Sequence, residues 1–190
     1  MAGTEKGRPE PIMRTNDSAW LQQGLNALAL ADPATVAHIS KSHSRITVVD
    51  DPITVLRDEM PIMGFNEAHI LASDVDSAYG VTVSSADPGR PTLIDGDIWL
   101  NRPSIKRDAE EEKVPVAVFL AAVIAHEWAH HNGAGEPPAY DAGIVVAEKL
   151  GYTHLADKFR RIKKRVADEA RIREKFRNLP PAWSQPDYAY

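Results

Sequence analysis

An unbroken hydrophobic run spans residues 115–125 and contains no polar position. A helix without a polar face is typical of a protein core, so this run predicts a buried helix rather than a surface one. The run leads into the polar segment HEWAH at residues 126–130, and the pair Asn132-Gly133 then predicts a left-handed helix end. The pattern therefore predicts a core helix whose C-terminal end carries two histidines and a carboxylate.

Amphipathic spacing predicts further helices before and after this core helix. An N-terminal helix is expected at the capping residues Asp17-Ser18, and a shorter one after Asp32-Pro33. Downstream, one helix is expected from Pro137-Pro138 to Gly151, followed by a long one over residues 153–178. The apolar stripe predicted for the first helix consists of Trp20, Leu21, Leu25, Leu28 and Ala31. The stripe predicted for the last helix consists of Leu155, Phe159, Ile162, Val166, Ala170 and Phe176.

Short β-branched or alternating segments predict a small sheet, with strands at residues 45–49, 80–84, 92–94 and 97–101. Asp95-Gly96 fits a tight hairpin turn between the last two segments, although both segments could equally form one bulged strand. Arg102-Pro103 is expected to end the last strand. The acidic segment at residues 108–113 is expected to be a solvent-exposed lead-in to the core helix. Several helices around a small mixed sheet indicate the α+β class.

Composition and length indicate one globular domain with short appendages. The 190 residues are 43% hydrophobic and 26% charged, which is ordinary for a soluble protein. We expect a flexible leader at residues 1–16, a single domain at residues 17–179 and a tail at residues 180–190. The chain contains no cysteine, which excludes disulfides and thiolate ligands.

The first residues of the chain lack the apolar core of a signal peptide. The run at residues 115–125 is too short to span a bilayer, so no membrane span is expected. The expected location is the cytoplasm, and association with a virion or signal-independent export stays open.

The residues at the end of the core helix have the spacing of a metal site. Residues four apart lie on one face of a helix, so His126 and His130 can direct two imidazoles at one ion. Glu127 lies beside the first of them, where a carboxylate can hold a water next to the ion. Without a metal, these groups would be costly to desolvate at the end of a buried helix. The spacing H-E-x-x-H therefore predicts zinc as a cofactor, with Glu127 as general base.

This segment resembles the zincin metallopeptidases, which share the signature H-E-x-x-H. The resemblance covers roughly residues 92–150. It implies a zincin-like fold and the hydrolysis of peptide bonds in a peptide or protein substrate by a metal-activated water. Two other functions stay open. One is a non-catalytic zincin fold that serves as a structural or assembly module, and the other is a regulatory protease or toxin with a single protein substrate.

Glu136 is the expected third ligand, because it follows His130 by six residues and Gly133 permits a sharp turn between them. The spacing H-E-x-x-H-x-x-G-x-x-E resembles the metzincin motif, with a glutamate in place of the third histidine. No methionine follows Met63, so the methionine turn of metzincins is absent. A glutamate on a downstream helix resembles the gluzincins instead, at a shorter spacing, although an acidic residue is favourable at any helix N-terminus. Asp141 is the alternative ligand, or accepts a hydrogen bond from a ligating histidine.

Two further residues near the motif have weaker indications of a role. Tyr140 can donate its phenol to a developing oxyanion, as tyrosines do in several zincins, although it can also be a packing residue. His131 points about one step round the helix from His130, so it cannot easily share the metal, and we expect it to be exposed.

The strand before the core helix is a candidate for substrate binding. In zincins a strand that edges the cleft lies antiparallel to the bound peptide, and an open edge can pair with an extended substrate. The residues in that position here are Ile98, Trp99, Leu100 and Asn101. The same strand can equally be an ordinary core strand.

The charge of the last helix is opposite to that of the whole chain. Residues 153–178 contain ten Lys or Arg and four Asp or Glu, a net charge of +6 in a chain whose total is −5. A basic helix can bind nucleic acid, an anionic membrane or an acidic partner, or it can dock on its own acidic domain. The apolar stripe favours docking, and the lack of interleaved aromatic residues disfavours nucleic acid.

Overall fold

The computed structural model describes residues 17–42, 45–50, 79–82 and 98–177. These ranges contain six helices and three strands, which confirms the α+β class. The helices are α1 (Asp17–Ala31), α2 (Pro33–Lys41), α3 (Arg102–Glu111), α4 (Val116–His131), α5 (Glu136–Lys149) and α6 (Thr153–Arg177). The strands are β1 (Ile46–Val49), β2 (Gly80–Thr82) and β3 (Ile98–Asn101). The expected leader, the tail, the strand at residues 92–94 and the turn at residues 95–96 lie outside the described residues.

The three strands form a mixed sheet in the order β1-β3-β2. β1 runs parallel to β3, and β2 runs antiparallel to it. Of the two interpretations left open for residues 98–101, the core strand is confirmed and the edge strand is wrong, because β3 has a paired strand on both sides and all four of its residues are buried. Its backbone groups already pair within the sheet, so this strand cannot take up an extended substrate.

α3 begins at Arg102-Pro103, where the sequence predicted the end of a strand but no helix. The Asn101 side chain accepts a hydrogen bond from the Ser104 N–H at 3.3 Å, and Pro103 lies in the first turn, where its missing N–H has no consequence. The acidic segment that was expected to be a solvent-exposed lead-in therefore belongs largely to a helix. Asp108 within it is buried, because Tyr79 and Lys158 supply partners for its carboxylate.

The core is built around α4, as the hydrophobic run predicted. Eight consecutive residues of this helix, 118–125, are buried between α1, α5 and the sheet. In α1, Leu28 and Ala31 are buried, and Trp20, Leu21 and Leu25 pack against the core with partial exposure, which confirms the predicted stripe. The helix that carries the HEWAH segment is therefore held on several sides and cannot shift independently of the fold.

α6 docks on the domain through its first half. Leu155 and Phe159 are buried as predicted, and Ile162 and Val166 are partly buried. Ala170 is exposed, which contradicts its place in the predicted stripe, and the Phe176 side chain lies outside the described residues. The reason is length: at 1.5 Å per residue α5 spans about 21 Å and α6 about 37 Å, so the last turns of α6 extend past their neighbour.

The basic residues of α6 pair with acidic residues of the same domain. Lys163 contacts Asp141 of α5 at 2.6 Å, and Arg160 contacts Glu148 of the same helix. Lys158 contacts Asp108 at 2.9 Å. The positive charge of α6 is therefore partly matched inside the molecule, as the docking interpretation predicted. No helix in the described ranges is long and apolar enough to cross a membrane.

Candidate metal centre

The end of α4 and the start of α5 are brought together by a short, well-defined turn. Gly133 has φ +84°, a conformation that costs little only for glycine, and its N–H bonds to the His130 carbonyl at 2.8 Å. The Ala134 N–H bonds to the Ala129 carbonyl at 3.0 Å, which completes the paired hydrogen bonds of this helix end. Three residues after Gly133 the chain starts α5 at Glu136, whose side chain thus returns to the end of α4.

Three side-chain atoms from the two helices form a compact triangle. His126 Nε2 and His130 Nε2 lie 3.1 Å apart. Glu136 Oε2 lies 3.7 Å from the first and 3.5 Å from the second. In a tetrahedral site with bonds of about 2.0–2.1 Å, neighbouring ligand atoms lie about 3.3–3.4 Å apart. The triangle therefore has the dimensions of one face of such a site, and this group could hold a metal ion.

The orientation of both imidazoles suits metal binding. His130 Nδ1 lies 2.9 Å from the Ala134 carbonyl oxygen, which can only accept, so this nitrogen carries the proton and donates. In the neutral ring, the lone pair is then on Nε2, the atom that faces the triangle. The Nδ1 of His126 is buried, and its Nε2 faces the triangle as well.

The electrostatics of the triangle favour a cation. Burial and the neighbouring His130 lower the pKa of His126 to about 4, so this ring is neutral near pH 7. The hydrogen bond with Glu136 raises the pKa of His130, and the same contact lowers the pKa of Glu136. In the absence of a metal, the triangle thus favours a proton on the His130 imidazole, paired with the ionised Glu136 carboxylate. A divalent ion can replace that proton.

Glu127 lies beside the triangle and does not belong to it. Its side chain is buried, with 4% of its surface exposed, and points towards β2. The Thr82 hydroxyl lies 2.9 Å from Glu127 Oε2 and 2.9 Å from the Glu127 carbonyl oxygen. Burial raises the pKa of Glu127 to about 7, although the hydrogen bond from Thr82 acts in the opposite direction. The carboxyl group can therefore both accept and return a proton near neutral pH.

The other predicted residues have different positions relative to the triangle. The Tyr140 ring lies 4.4 Å from the His126 ring, and burial raises the pKa of Tyr140 to about 12, so its phenol keeps its proton. Asp141 is exposed, and its two oxygens contact Lys163 Nζ at 2.6 and 2.7 Å. It is not part of the metal-binding group. The structure thus brings Glu136 to the histidines and not Asp141.

His131 is half-buried rather than exposed. Its ring is stacked on the Trp128 ring at 4.5 Å, on a different side of α4 from the triangle. The expected exposure was wrong, because a tryptophan three residues earlier on the helix covers the imidazole. Residues 98–101, which were expected to bind substrate as an edge strand, lie in the middle of the sheet instead.

Two residues of the site were missed at the level of sequence. Thr82 and Gly80 contact Glu127 from β2, and the Thr82 contact joins residues 45 positions apart. Nothing in a short alternating strand distinguishes such a threonine from any other. The one signal in the sequence was the predicted strand at residues 80–84, which does not show that these residues contact the core helix.

No protein family, curated protein or solved structure matches this chain. Function is therefore inferred from the geometry and chemistry of the site itself.

Proposed function

We propose that the protein is a zinc-dependent hydrolase of peptide bonds, a short member of the zincin type. His126, His130 and Glu136 hold the zinc ion, and Glu127 is the general base. The observation that carries this proposal is the pairing of a ligand triangle of tetrahedral dimensions with a buried carboxylate that is not one of the ligands. A binding site for metal alone has no need of that second carboxylate.

The residues of the chain have separate tasks in this proposal. When bound, zinc supplies a Lewis acid that polarises the scissile carbonyl and makes water more acidic. Glu127 takes a proton from the attacking water and later gives it to the leaving amine. Tyr140, whose phenol stays protonated beside His126, donates a hydrogen bond to the oxygen on which negative charge develops.

The number of ligands favours an enzyme over a structural zinc site. Structural zinc sites are closed by four protein ligands, whereas catalytic sites have three and keep one position open. Among the described residues, the metal-binding group has three members. Asp141, the alternative that could have closed the site, is held by Lys163. We therefore prefer the peptidase to the structural or assembly module.

The test compares the wild type with Glu127→Gln at equal zinc loading. Because Glu127 is not a ligand, the variant is expected to keep its zinc and its melting temperature. Its turnover is expected to fall by roughly 10²–10⁴-fold, the usual contribution of a general base. Both proteins are incubated with a peptide library and with native proteins from the source cell, and new N-termini are identified by mass spectrometry. The native proteins are included because a protease with a single protein substrate would cleave none of the peptides in the library.

The matched control is Glu148→Gln, which makes the same chemical change on the exposed side of α5 and is expected to cleave like the wild type. Cleavage by the wild type and the control that vanishes in Glu127→Gln supports the proposal. Equal cleavage by all three proteins, or none by any, contradicts it.

A further inference from the structure

β2 contacts the general base at two points that the ligand triangle does not touch. The Thr82 hydroxyl contacts the Glu127 side chain and the Glu127 main chain, each at 2.9 Å. A methyl group added at Gly80 would lie 2.8 Å from Glu127 Cγ and 2.8 Å from Glu127 Oε1. One residue of the strand thus supplies a hydrogen bond, and another leaves the space that the carboxylate fills.

We propose that β2 is a positioning element for the general base, in which Thr82 and Gly80 fix the Glu127 carboxylate relative to the zinc ligands. This inference rests on the proposed hydrolase function. A glutamate side chain has three rotatable bonds, so burial alone does not determine where its oxygens lie. The hydroxyl has one proton, which it donates to the carboxylate oxygen or shares with the main-chain carbonyl oxygen of the same residue. Either arrangement holds the carboxylate beside its own main chain and restricts all three bonds.

β2 is itself held firmly enough to act in this way. Gly80 pairs with Leu100 and Thr82 with Ile98, and both partners belong to the buried central strand. Directly before the strand, the Tyr79 hydroxyl donates to Asp108 at 2.5 Å. Because β2 is fixed to the core, its contacts also fix the Glu127 side chain relative to the core. A base displaced by about 1 Å from its productive position can cost roughly a hundredfold in rate.

The first test removes the hydroxyl and preserves the shape of the side chain. Thr82→Val is expected to lower kcat by roughly tenfold to a hundredfold, with KM and zinc content unchanged. Thr82→Ser restores the hydroxyl and is expected to regain most of kcat. Gly80→Ala forces Glu127 to move and is expected to lower kcat similarly while the zinc is retained.

The matched control is Thr47→Val, the same substitution in the same sheet. Thr47 is buried on β1, and its hydroxyl has no hydrogen-bond partner among the described residues. The Thr47→Val variant is expected to leave kcat unchanged. If Thr47→Val lowers kcat as much as Thr82→Val, the loss comes from the sheet in general and the inference is overturned.

A double variant separates positioning from general damage to the site. If Thr82 acts only through Glu127, then Thr82→Val is expected to cost nothing more once Glu127→Gln is present. A further loss of the residual activity in the double variant contradicts this expectation and overturns the inference.

A readout without substrate is the position of the Glu127 carboxylate in crystal structures of the zinc-loaded wild type and Thr82→Val. The expected result is a carboxylate that changes conformation while His126, His130 and Glu136 stay in place. An unmoved carboxylate overturns the inference. A wild type that cleaves nothing overturns the proposed function and this inference with it, whereas a wild type that cleaves and a Thr82→Val variant with unchanged kcat overturn the inference alone.

Discussion

At the scale of single residues, the identity of the proposed third zinc ligand is a choice between two carboxylates near the start of α5. Glu136 points at the two histidines, and Asp141 points at Lys163. The spacing of the sequence left both as candidate ligands. Their separate partners now give them different expected effects on the metal.

Glu136→Gln is expected to weaken zinc binding by more than about a hundredfold, because it removes an anionic ligand and not a supporting group. Asp141→Asn is expected to change the affinity by roughly twofold or less, since an exposed ion pair contributes little. Competition with a chromophoric chelator measures both constants. The opposite ranking would transfer the role of ligand to Asp141.

Zinc binding is expected to release a proton in a way that depends on pH. The pKa of His130 is raised by Glu136, so below that pKa the free site carries a proton that zinc must displace. His126, with a pKa of about 4, contributes no such proton near neutrality. A divalent ion also favours the ionised form of Glu127, whose pKa is about 7. The apparent affinity for zinc is therefore expected to rise with pH through the pKa values of His130 and Glu127 and then to level off.

Titration calorimetry in buffers of different ionisation enthalpy measures this release directly. About one to two protons per zinc are expected near pH 6, one from His130 and a share from Glu127, and the number falls as the pH passes through the pKa values of both groups. An affinity that does not vary with pH in this range, without release of protons, would show that His130 is not a ligand.

At the scale of elements, Asp108 joins three parts of the chain that are distant in sequence. It lies on α3, accepts a hydrogen bond from Tyr79 before β2, and contacts Lys158 of α6 at 2.9 Å. Burial raises the pKa of Asp108, but the hydrogen bonds from Tyr79, Lys158 and Arg107 outweigh this effect and lower it below the usual 3.8. The folded state therefore favours the ionised form of Asp108, and this charge stabilises the fold.

Asp108→Asn is expected to lower the free energy of unfolding by about 2 kcal/mol at neutral pH, because it removes a charged hydrogen-bond acceptor of Tyr79 and leaves the largely buried Lys158 with Glu112 as its one remaining carboxylate partner among the described residues. The stabilisation from Asp108 is complete above the unfolded-state pKa and is lost as the pH falls through the lower folded-state pKa. The difference between the variant and the wild type should therefore shrink on acidification. Urea denaturation across the acidic range tests this, with Asp168→Asn, at a half-exposed position of α6, as a control that is expected to be nearly neutral. A constant difference at all pH values would contradict it.

Local sequence patterns predicted five of the six described helices and the three residues of the candidate metal-binding group. The four-residue spacing of His126 and His130 is a property of any helix, and the Asn132-Gly133 pair fixes a turn short enough to return Glu136. Such relations involve neighbours along the chain. They do not depend on how distant segments pack.

The errors about the sheet, Asp108 and Thr82 concern contacts between distant segments, whereas the missed helix α3 and the stacking of His131 on Trp128 involve neighbours along the chain. The order of the strands depends on pairing between residues near 46, 80 and 98, which alternating patterns do not encode, so the sequence could not decide whether β3 lies at the edge or in the centre of the sheet. Asp108 has the composition of a solvated segment and is buried because Tyr79 and Lys158 reach it. Thr82 contacts Glu127 across 45 positions of sequence, so its role likewise depends on the packing of distant segments.

At the scale of the whole molecule, the charges of the described ranges are arranged so that the basic helix is held by the acidic domain. α6 runs antiparallel to α5, as the pairs Lys163–Asp141 and Arg160–Glu148 show. Its first half thus covers the side of the core next to Tyr140. The helix that had suggested an external acidic partner has acidic partners within the domain, and its Phe159 packs against Tyr140 beside the candidate metal-binding group.

The zinc site itself is the central claim, and anomalous diffraction at the zinc edge from crystals of zinc-loaded protein tests it most directly. One peak per chain is expected, about 2.0–2.2 Å from His126 Nε2, His130 Nε2 and a Glu136 oxygen, with the fourth position not filled by the protein. The Glu127 carboxylate is expected to lie outside bonding distance of the peak. A stoichiometrically loaded protein without a peak at this triangle, or with a fourth protein ligand that closes the site, would contradict the account.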